Sequence, residues 1–382
     1  MNQMTTIGNR PGVWSAPGRA NLMGEHTDYN QGLVLPFAIA QSVTAAAVRR
    51  DDGLLVLRSR QAPGGSATIV LDSLAPGTVT GWAAYPAGVA WALRDAGYRI
   101  PGATIDIDSD LPVGAGLSSS AGLACSTALA LIGLADAGVP RRELVQIARW
   151  AENDFIGVPS GIMDQSASLL CEAGHALLLD CRTLEISQVP FDPAAAGNRL
   201  LVINTRAGHA HDGGDYARRR SECEEAARQL GVPFLGCLTD AADVGRLADP
   251  ALRGRARHVI TDNARVLAAV DLLRGAPADP GAYRKVGALL CDAHRSLRDD
   301  FEVSWPHADV TVDAAVAAGA LGARMIGGGF GGSVLALVPT DAGPAVRAAV
   351  ADAFARRSWA APEFIETIPS GGARRTDTTH DG

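Results

Sequence analysis

Between Gly18 and Asn30 the sequence GRANLMGEHTDYN gathers Arg19, Glu25, His26 and Asp28 into one short run with no lysine in it. Carboxylates accept hydrogen bonds from hydroxyls, imidazole donates or accepts, and a guanidinium steadies an anion or another carboxylate. That chemistry suits a grip on a polyhydroxylated molecule. The same residues also make a good turn, because Thr27 and Asp28 are helix-capping types and Asn-Gln-Gly at 30 to 32 is turn chemistry. The run alone leaves both readings open.

Three further segments carry chemistry. In LPVGAGLSSSAG, Leu111 to Gly122, glycines and three serines stand directly before a helical pattern. Glycines let backbone N–H groups turn toward an anion, and a helix N-terminus adds partial positive charge, so the segment reads as a phosphate cradle. It lacks the lysine of a Walker A loop and the spacing of a dinucleotide fingerprint. A hydroxyl of Ser119 or Ser120 is a suitable oxygen ligand for Mg²⁺. In GVPSGIMDQ, Gly157 to Gln165, Asp164 follows a glycine turn. It is either a helix cap or the carboxylate that a kinase needs to orient or deprotonate an attacking hydroxyl. The third segment, GGGFGG at 327 to 332, permits close backbone approach.

The elements that position these residues read as a mixture. Short β-branched runs at 34–48, 54–57, 67–71 and 104–107 predict a sheet in the first 110 residues. Helical spacing covers Trp82 to Ala96 and about Ser119 to Asp136. A third helix opens at Pro140, its inward face formed by Leu144, Ile147, Ala148, Ala151 and Phe155. Glu152 lies at the edge of that face, where an acid needs a partner or a metal; the alternative is a surface glutamate near Arg149. Strands are expected at 177–179 and 200–203, and a helix at about 216–230 with wet i, i+4 pairs Arg218/Glu222 and Arg220/Glu224. Further helices are expected near 257–274, 281–298 and 307–318, then a hairpin from Met325 to Val338 around the glycine cluster. Residues 274–281, RGAPADPG, read as a surface loop, and residues 371–382 as a disordered tail. The irregular order of strands and helices indicates an α+β fold.

Composition narrows the function. With 382 residues and 47% hydrophobic content the chain has enough apolar surface for two domains, divided at about 185/186. A net charge of −7 argues against broad binding to nucleic acid or an anionic membrane, and favours small-molecule partners. The six cysteines form no CxxC pair and have no histidine at metal-ligand spacing beside them, so they are expected to be reduced thiols in the cytoplasm. No export signal is expected at the N-terminus. Leu111 to Ala135 is free of charge and long enough to span a bilayer, but its glycines, Pro112 and hydroxyls favour a helix buried inside the protein.

Taken together, GRANLMGEHTDYN, LPVGAGLSSSAG and MIGGGFGGSV resemble the three ordered motifs of the galactokinases in the GHMP kinase superfamily. The resemblance implies a two-domain fold, N-terminal ribosomal protein S5 domain 2-like and C-terminal ferredoxin-like α+β, with the active site between the domains. It implies transfer of the γ-phosphoryl group of MgATP to the anomeric hydroxyl of α-D-galactose, the first committed step of galactose catabolism, by a monomer or weak oligomer. Carried over by residue, it makes Asp164 the catalytic carboxylate and Arg19 its transition-state partner. Glu25, His26, Thr27, Asp28, Gly161 and Tyr216 would bind the sugar. Gly114, Ala115, Gly116, Leu117, Ser118, Ser119 and Ser120 would wrap the ATP phosphates, and Ser120 and Glu152 would hold Mg²⁺. Two departures stand out: GWAAYPAGV at 81–89 lacks the asparagine and lysine of the family's Trp-x-Asn-Tyr-x-Lys-Gly-Val pattern, and Ala151–Asn153 reads AEN where AEH is usual. A kinase for N-acetylgalactosamine, arabinose or galacturonate, or a non-catalytic galactose and ATP sensor, is the alternative.

Overall fold

The computed structural model describes residues 11–62, 64–112, 114–208 and 214–376. The polar segment at 209–213, which links a strand to a helix, lies outside them. In chain order the first half contains β1 (Gly12–Asn21), β2 (Leu33–Val34), β3 (Pro36–Arg50), β4 (Leu54–Ser59), β5 (Ser66–Val70), α1 (Ala84–Asp95), β6 (Gly102–Ser109), α2 (Ser119–Leu134), α3 (Arg141–Trp150), α4 (Met163–Leu170), β7 (His175–Asp180) and β8 (Ile186–Pro190). The second half contains β9 (Asn198–Asn204), α5 (Gly214–Leu230), α6 (Pro250–Gly275), α7 (Pro280–Asp299), α8 (Pro306–Ala317), β10 (Gly322–Ile326), β11 (Ser333–Pro339), α9 (Gly343–Ala355), β12 (Glu363–Thr367) and β13 (Arg374–Arg375).

A six-stranded sheet in the order β13-β1-β3-β6-β4-β5 forms the first layer, antiparallel except where β4 runs parallel to β6. Its inner face receives the uncharged helix α2, whose closeness depends on small residues. A Cβ on Gly122 would stand 3.0 Å from Val43, and one on Gly133 would collide with the Trp14 ring at 2.4 Å. The expectation of a protein-buried helix is met, and no helix among the described residues is long and apolar enough to cross a membrane. The second layer is a four-stranded antiparallel sheet, β10-β11-β9-β12, and a three-stranded sheet joins β2, β7 and β8. Strand β9 is the shared wall: Leu200 and Val202 face one core while Leu201 and Ile203 face the other.

Several differences from the sequence expectations have local causes. Strand β1 was not expected because Pro17 and Gly18 interrupt it, yet its register on β3 simply shifts between Pro17 and Arg19. Helix α6 starts at Pro250, well before 257, because Asp249 caps it by accepting the Ala251 N–H and proline suits its first turn. The expected boundary at 185/186 falls in the turn of the β7–β8 hairpin, whose strands pair from His175↔Pro190 to Leu179↔Ile186. The tail expectation is corrected at its start. Arg374–Arg375 add β13 to the free edge of β1, with the Arg375 guanidinium 5.1 Å from the Trp14 ring centroid and the Ala373 N–H donating to Ser168 at 2.7 Å. Edge amides and a cation–π contact supply the order that composition hid. Residues 377–382 of that tail lie outside the described residues.

Helix α7 meets β10 backbone to backbone, since a Cβ on Gly322 would stand 1.9 Å from the Gly287 carbonyl oxygen. Gly322→Ala is therefore expected to lose about 2 kcal/mol of stability through overpacking. A urea midpoint equal to the wild type would contradict this.

Candidate active site

Arg19 and Asp164 meet from opposite sides of the first half. Gly18 allows the approach: a Cβ there would stand 2.6 Å from the Leu117 carbonyl oxygen, so β1 lies directly against the glycine-serine loop. The Arg19 Nε donates to Asp164 Oδ1 at 2.7 Å and Nη2 to Oδ2 at 2.9 Å, a bidentate pair, while Nη1 donates to the Gly116 carbonyl at 2.7 Å. Asp164 sits inside the first turn of α4 and makes no capping bond, which removes the helix-cap reading. The Ser118 hydroxyl donates to its Oδ2. Ser118 therefore serves the carboxylate, although its position in the loop suggested a phosphate ligand.

Beside this pair lies a cavity of about 240 Å³. Of the expected sugar residues, Glu25, His26, Asp28, Gly161 and Tyr216 all line it, together with Arg19 and Asp164. Thr27 is the correction. It is fully buried, and its hydroxyl stands between the Gly24 and Leu33 carbonyls at 2.8 and 2.6 Å, so it staples the loop and does not reach the cavity. Gly161 is there for room: a Cβ would sit 1.6 Å from Asp28 Oδ2. Tyr216, from the first turn of α5, lies 5.6 Å from the His26 ring.

Glu25 is only partly available, because its Oε1 accepts the Gly327 N–H at 2.8 Å and stands 3.0 Å from Arg324 Nη2. Arg324, wholly buried in the middle of β10, was missed by sequence reasoning; a charge in an otherwise apolar strand before a glycine cluster was its signal. Burial, and then the nearby Arg19, push its guanidinium down to about 9. His26 has a left-handed backbone, φ 63°, and its Nδ1 lies 2.9 Å from the Tyr29 hydroxyl. Burial, with His258 next, lowers its pKa to about 3, so the imidazole is neutral at physiological pH. Asp28 moves the other way, raised to about 6 by burial first and the Asp164 charge second.

The glycine-serine loop is built inside out. The Ala115 carbonyl accepts Ser333 Oγ at 2.7 Å, that of Gly116 accepts Arg19, and that of Leu117 accepts the Arg19 N–H at 3.2 Å. With its carbonyls taken by protein donors, the loop is left with N–H groups to offer an anion. Gly114, Gly116 and Ser118 carry the positive φ values, 74°, 70° and 57°, that shape the turn. Ala115 and Leu117 are buried and contribute backbone only. Ser119 and Ser120 open α2 and line a second cavity of about 320 Å³, with Trp82, Tyr85 and Leu123. Glu152 stands in a single π-helical turn, Ala151–Ile156, that extends α3. Its Oε2 accepts Ser160 Oγ at 2.8 Å and Gln165 Nε2 at 2.6 Å, and burial raises its pKa. A desolvated carboxylate and the Ser120 hydroxyl are hard oxygen donors suited to Mg²⁺, a cation that fills its remaining positions with water and phosphate oxygens. Among the described residues no three His, Cys, Asp or Glu side chains are grouped so as to hold a metal ion by themselves, and a Mg²⁺ site completed by water and phosphate oxygens needs no such group.

Residues 4–49 match the family described as the galactokinase galactose-binding signature, residues 84–172 the GHMP kinase N-terminal domain, and residues 269–356 the GHMP kinase C-terminal domain. A galactokinase of Streptomyces coelicolor is 50% identical over 368 residues, covering 95% of this chain and 94% of its own length. One from Mycobacterium tuberculosis is 44% identical over 362 residues, covering 94% and 98%. The structure of Lactococcus lactis galactokinase complexed with galactose superposes with a TM-score of 0.90 at 35% identity, over 96% of this chain and 95% of that one. The chain belongs to the galactokinase family. It is an ATP-dependent sugar kinase with the GHMP kinase fold. Methanococcus jannaschii mevalonate kinase, at a TM-score of 0.67 and 15% identity, shares that fold alone.

The two departures from the galactokinase pattern have structural answers. Ala84 and Ala87 replace the asparagine and lysine on the buried side of α1, so no polar side chain needs a partner there. Asn153, in place of histidine, accepts the Ser160 N–H at 3.0 Å through Oδ1 and anchors the loop that carries Gly161.

Asp28 binds its proton more tightly in the native state than in the unfolded chain. The stability this gives is full below its ordinary value of 3.8 and is lost as pH rises through about 6. Asp28→Asn is therefore expected to raise the melting temperature of the ligand-free protein at about pH 7.5, with the gain vanishing near pH 4. A gain of equal size at both pH values would show that the charge is not the cause.

Proposed function

We propose that the chain transfers the γ-phosphoryl group of MgATP to the anomeric hydroxyl of α-D-galactose, giving α-D-galactose 1-phosphate and ADP. The observation that carries this reading is the bidentate Arg19–Asp164 pair, which lies between the acidic cavity and the amide-lined loop. In the cavity, Glu25 and Asp28 accept hydroxyl hydrogens, and neutral His26 gives or takes one without a charge change. The anomeric hydroxyl faces Asp164, which orients it and receives its proton as the bond to phosphorus forms and the bond to the leaving ADP oxygen breaks. Arg19 is held by Asp164 and by Gly116, so its charge is in place before the phosphoryl group moves.

Backbone amides from Gly114 to Ser120 hold the triphosphate, and the cavity at Trp82 and Tyr85 takes the apolar remainder of the nucleotide. Ser120 and Glu152 would hold Mg²⁺, which supplies charge neutralisation on the phosphates when bound. The two family-matched ranges support a division into an N-terminal unit with the signature and phosphate loop and a C-terminal unit with the glycine cluster. All six cysteines are free, which supports a reducing, cytoplasmic setting.

Coupled ADP release, measured over galactose, N-acetylgalactosamine, arabinose and galacturonate, tests the substrate. Galactose is expected to give the highest kcat/KM, and Asp164→Asn to lower kcat by about 10²- to 10⁴-fold. Faster turnover of another sugar, or an Asp164→Asn enzyme at the wild-type rate, would overturn the reading.

A further inference from the structure

The loop from Gly24 to Leu33, which presents Glu25, His26 and Asp28, is stapled within by Thr27 and by the Asn30 amide on the His26 carbonyl, yet these bonds leave part of its backbone unsatisfied. Gly24, His26 and Gln31 all have left-handed backbones, at φ 91°, 63° and 58°. For His26 and Gln31 that conformation is costly, and it persists only where the surroundings impose it. The loop's own backbone bonds lie in its middle, from Asn30 and Gly32 to Thr27 and from Gln31 to Asp28. Three backbone groups at its ends are left over: the Gly24 N–H, the Glu25 carbonyl and the Leu33 N–H.

One helix of the second half satisfies all three with side chains. Asp262 Oδ2 accepts the Gly24 N–H at 3.0 Å, and its Oδ1 is held by Arg265 Nε at 2.8 Å. Asn263 Oδ1 accepts the Leu33 N–H at 2.9 Å. The His258 Nε2 lies 3.0 Å from the Glu25 carbonyl, and since a carbonyl only accepts, that nitrogen carries the proton. His258 and Asp262 are wholly buried, and none of the three lines the cavity. Gly32 leaves room for the clamp, because a Cβ there would sit 2.6 Å from Asn263 Oδ1.

We propose that Asp262, with His258 and Asn263 beside it on α6, is a positioning residue that holds the sugar-binding loop in its strained shape and so sets sugar affinity without touching the sugar. The inference rests on the galactose-phosphorylation reading. It has a consequence of its own, because the strain and the clamp concern one ligand and not the other. Loss of the clamp lets the loop relax and misplaces Glu25, His26 and Asp28, while the phosphate loop, built on α2 and β1, keeps its shape.

The test is steady-state kinetics of the wild type, Asp262→Ala and Asp262→Asn, with galactose and ATP varied separately. Asp262→Ala is expected to raise the galactose KM about ten-fold, the ATP KM staying within about two-fold. Asp262→Asn still presents an oxygen to the Gly24 amide and is expected to stay within about three-fold of the wild-type galactose KM. An unchanged galactose KM in Asp262→Ala, an equal rise in both KM values, or an Asn variant as damaged as the Ala variant would each overturn the proposal. If Asp262→Ala yields no folded protein, Asn263→Ala carries the same comparison from a half-buried position, with the same outcomes deciding. Absence of galactose turnover by the wild type would contradict the substrate reading alone. Amide exchange of residues 24–33 would then decide the clamp, faster exchange in Asp262→Ala supporting it and unchanged exchange refuting it.

Discussion

The interaction on which the site depends is the two-pronged contact between Arg19 and Asp164. A guanidinium has one planar fork, and here two of its edges are used, one on the carboxylate and one on the Gly116 carbonyl. That single side chain therefore fixes the distance between the Asp164 carboxylate and the glycine-serine loop. Each partner comes from an element with another reason to be where it is: β1 is paired with β3, and α4 packs against β1. Arg19 is almost wholly buried, so its charge is neither dispersed in water nor free to wander.

Around that contact the protein holds charged and polar groups at close quarters by removing side chains elsewhere. Gly18 lets β1 touch the phosphate loop, Gly161 makes room for the Asp28 carboxylate, and Gly322 lets β10 lie on α7. The acids are then divided by environment. Asp28 is desolvated and faces Asp164, which raises it, while Asp164 itself is surrounded by donors from Arg19 and Ser118. Two carboxylates in one cavity are thus given different surroundings, which suits the different tasks proposed for them, one to hold the sugar and one to meet the reacting hydroxyl. Glu25 is a third case, tied through Oε1 to Gly327 and Arg324, so the sugar loop and the third glycine motif share one buried ion pair.

Much of this was legible in the sequence. Periodicity and capping marked most of the helices, and glycine density marked the phosphate loop and the β10–β11 hairpin. The inward edge position of Glu152 was also legible, together with its need for a partner. Strand β1 was hidden by Pro17 and Gly18, whose purpose is set by a register shift and by Leu117, neither visible locally. The inward bonds of the Thr27 and Ser118 hydroxyls were not legible for one reason: a hydroxyl in a motif looks the same whether it faces a ligand or a neighbouring carbonyl or carboxylate. Arg324 and the α6 residues Asp262 and Asn263 lie more than 200 residues from the loop they hold, and only the fold brings them to it. Helix α9 was within reach, since Pro344 and its alanines are ordinary helix signals.

The central claim is that Arg19 and Asp164 act as one catalytic unit. A double-mutant cycle in single-turnover phosphoryl transfer tests it most directly, using Arg19→Met, Asp164→Asn and the pair together under saturating galactose and MgATP. The account predicts that the double variant is no slower than the slower single variant, since removing either partner already dismantles the unit. Losses that multiply, each substitution costing its full factor in the presence of the other, would contradict it.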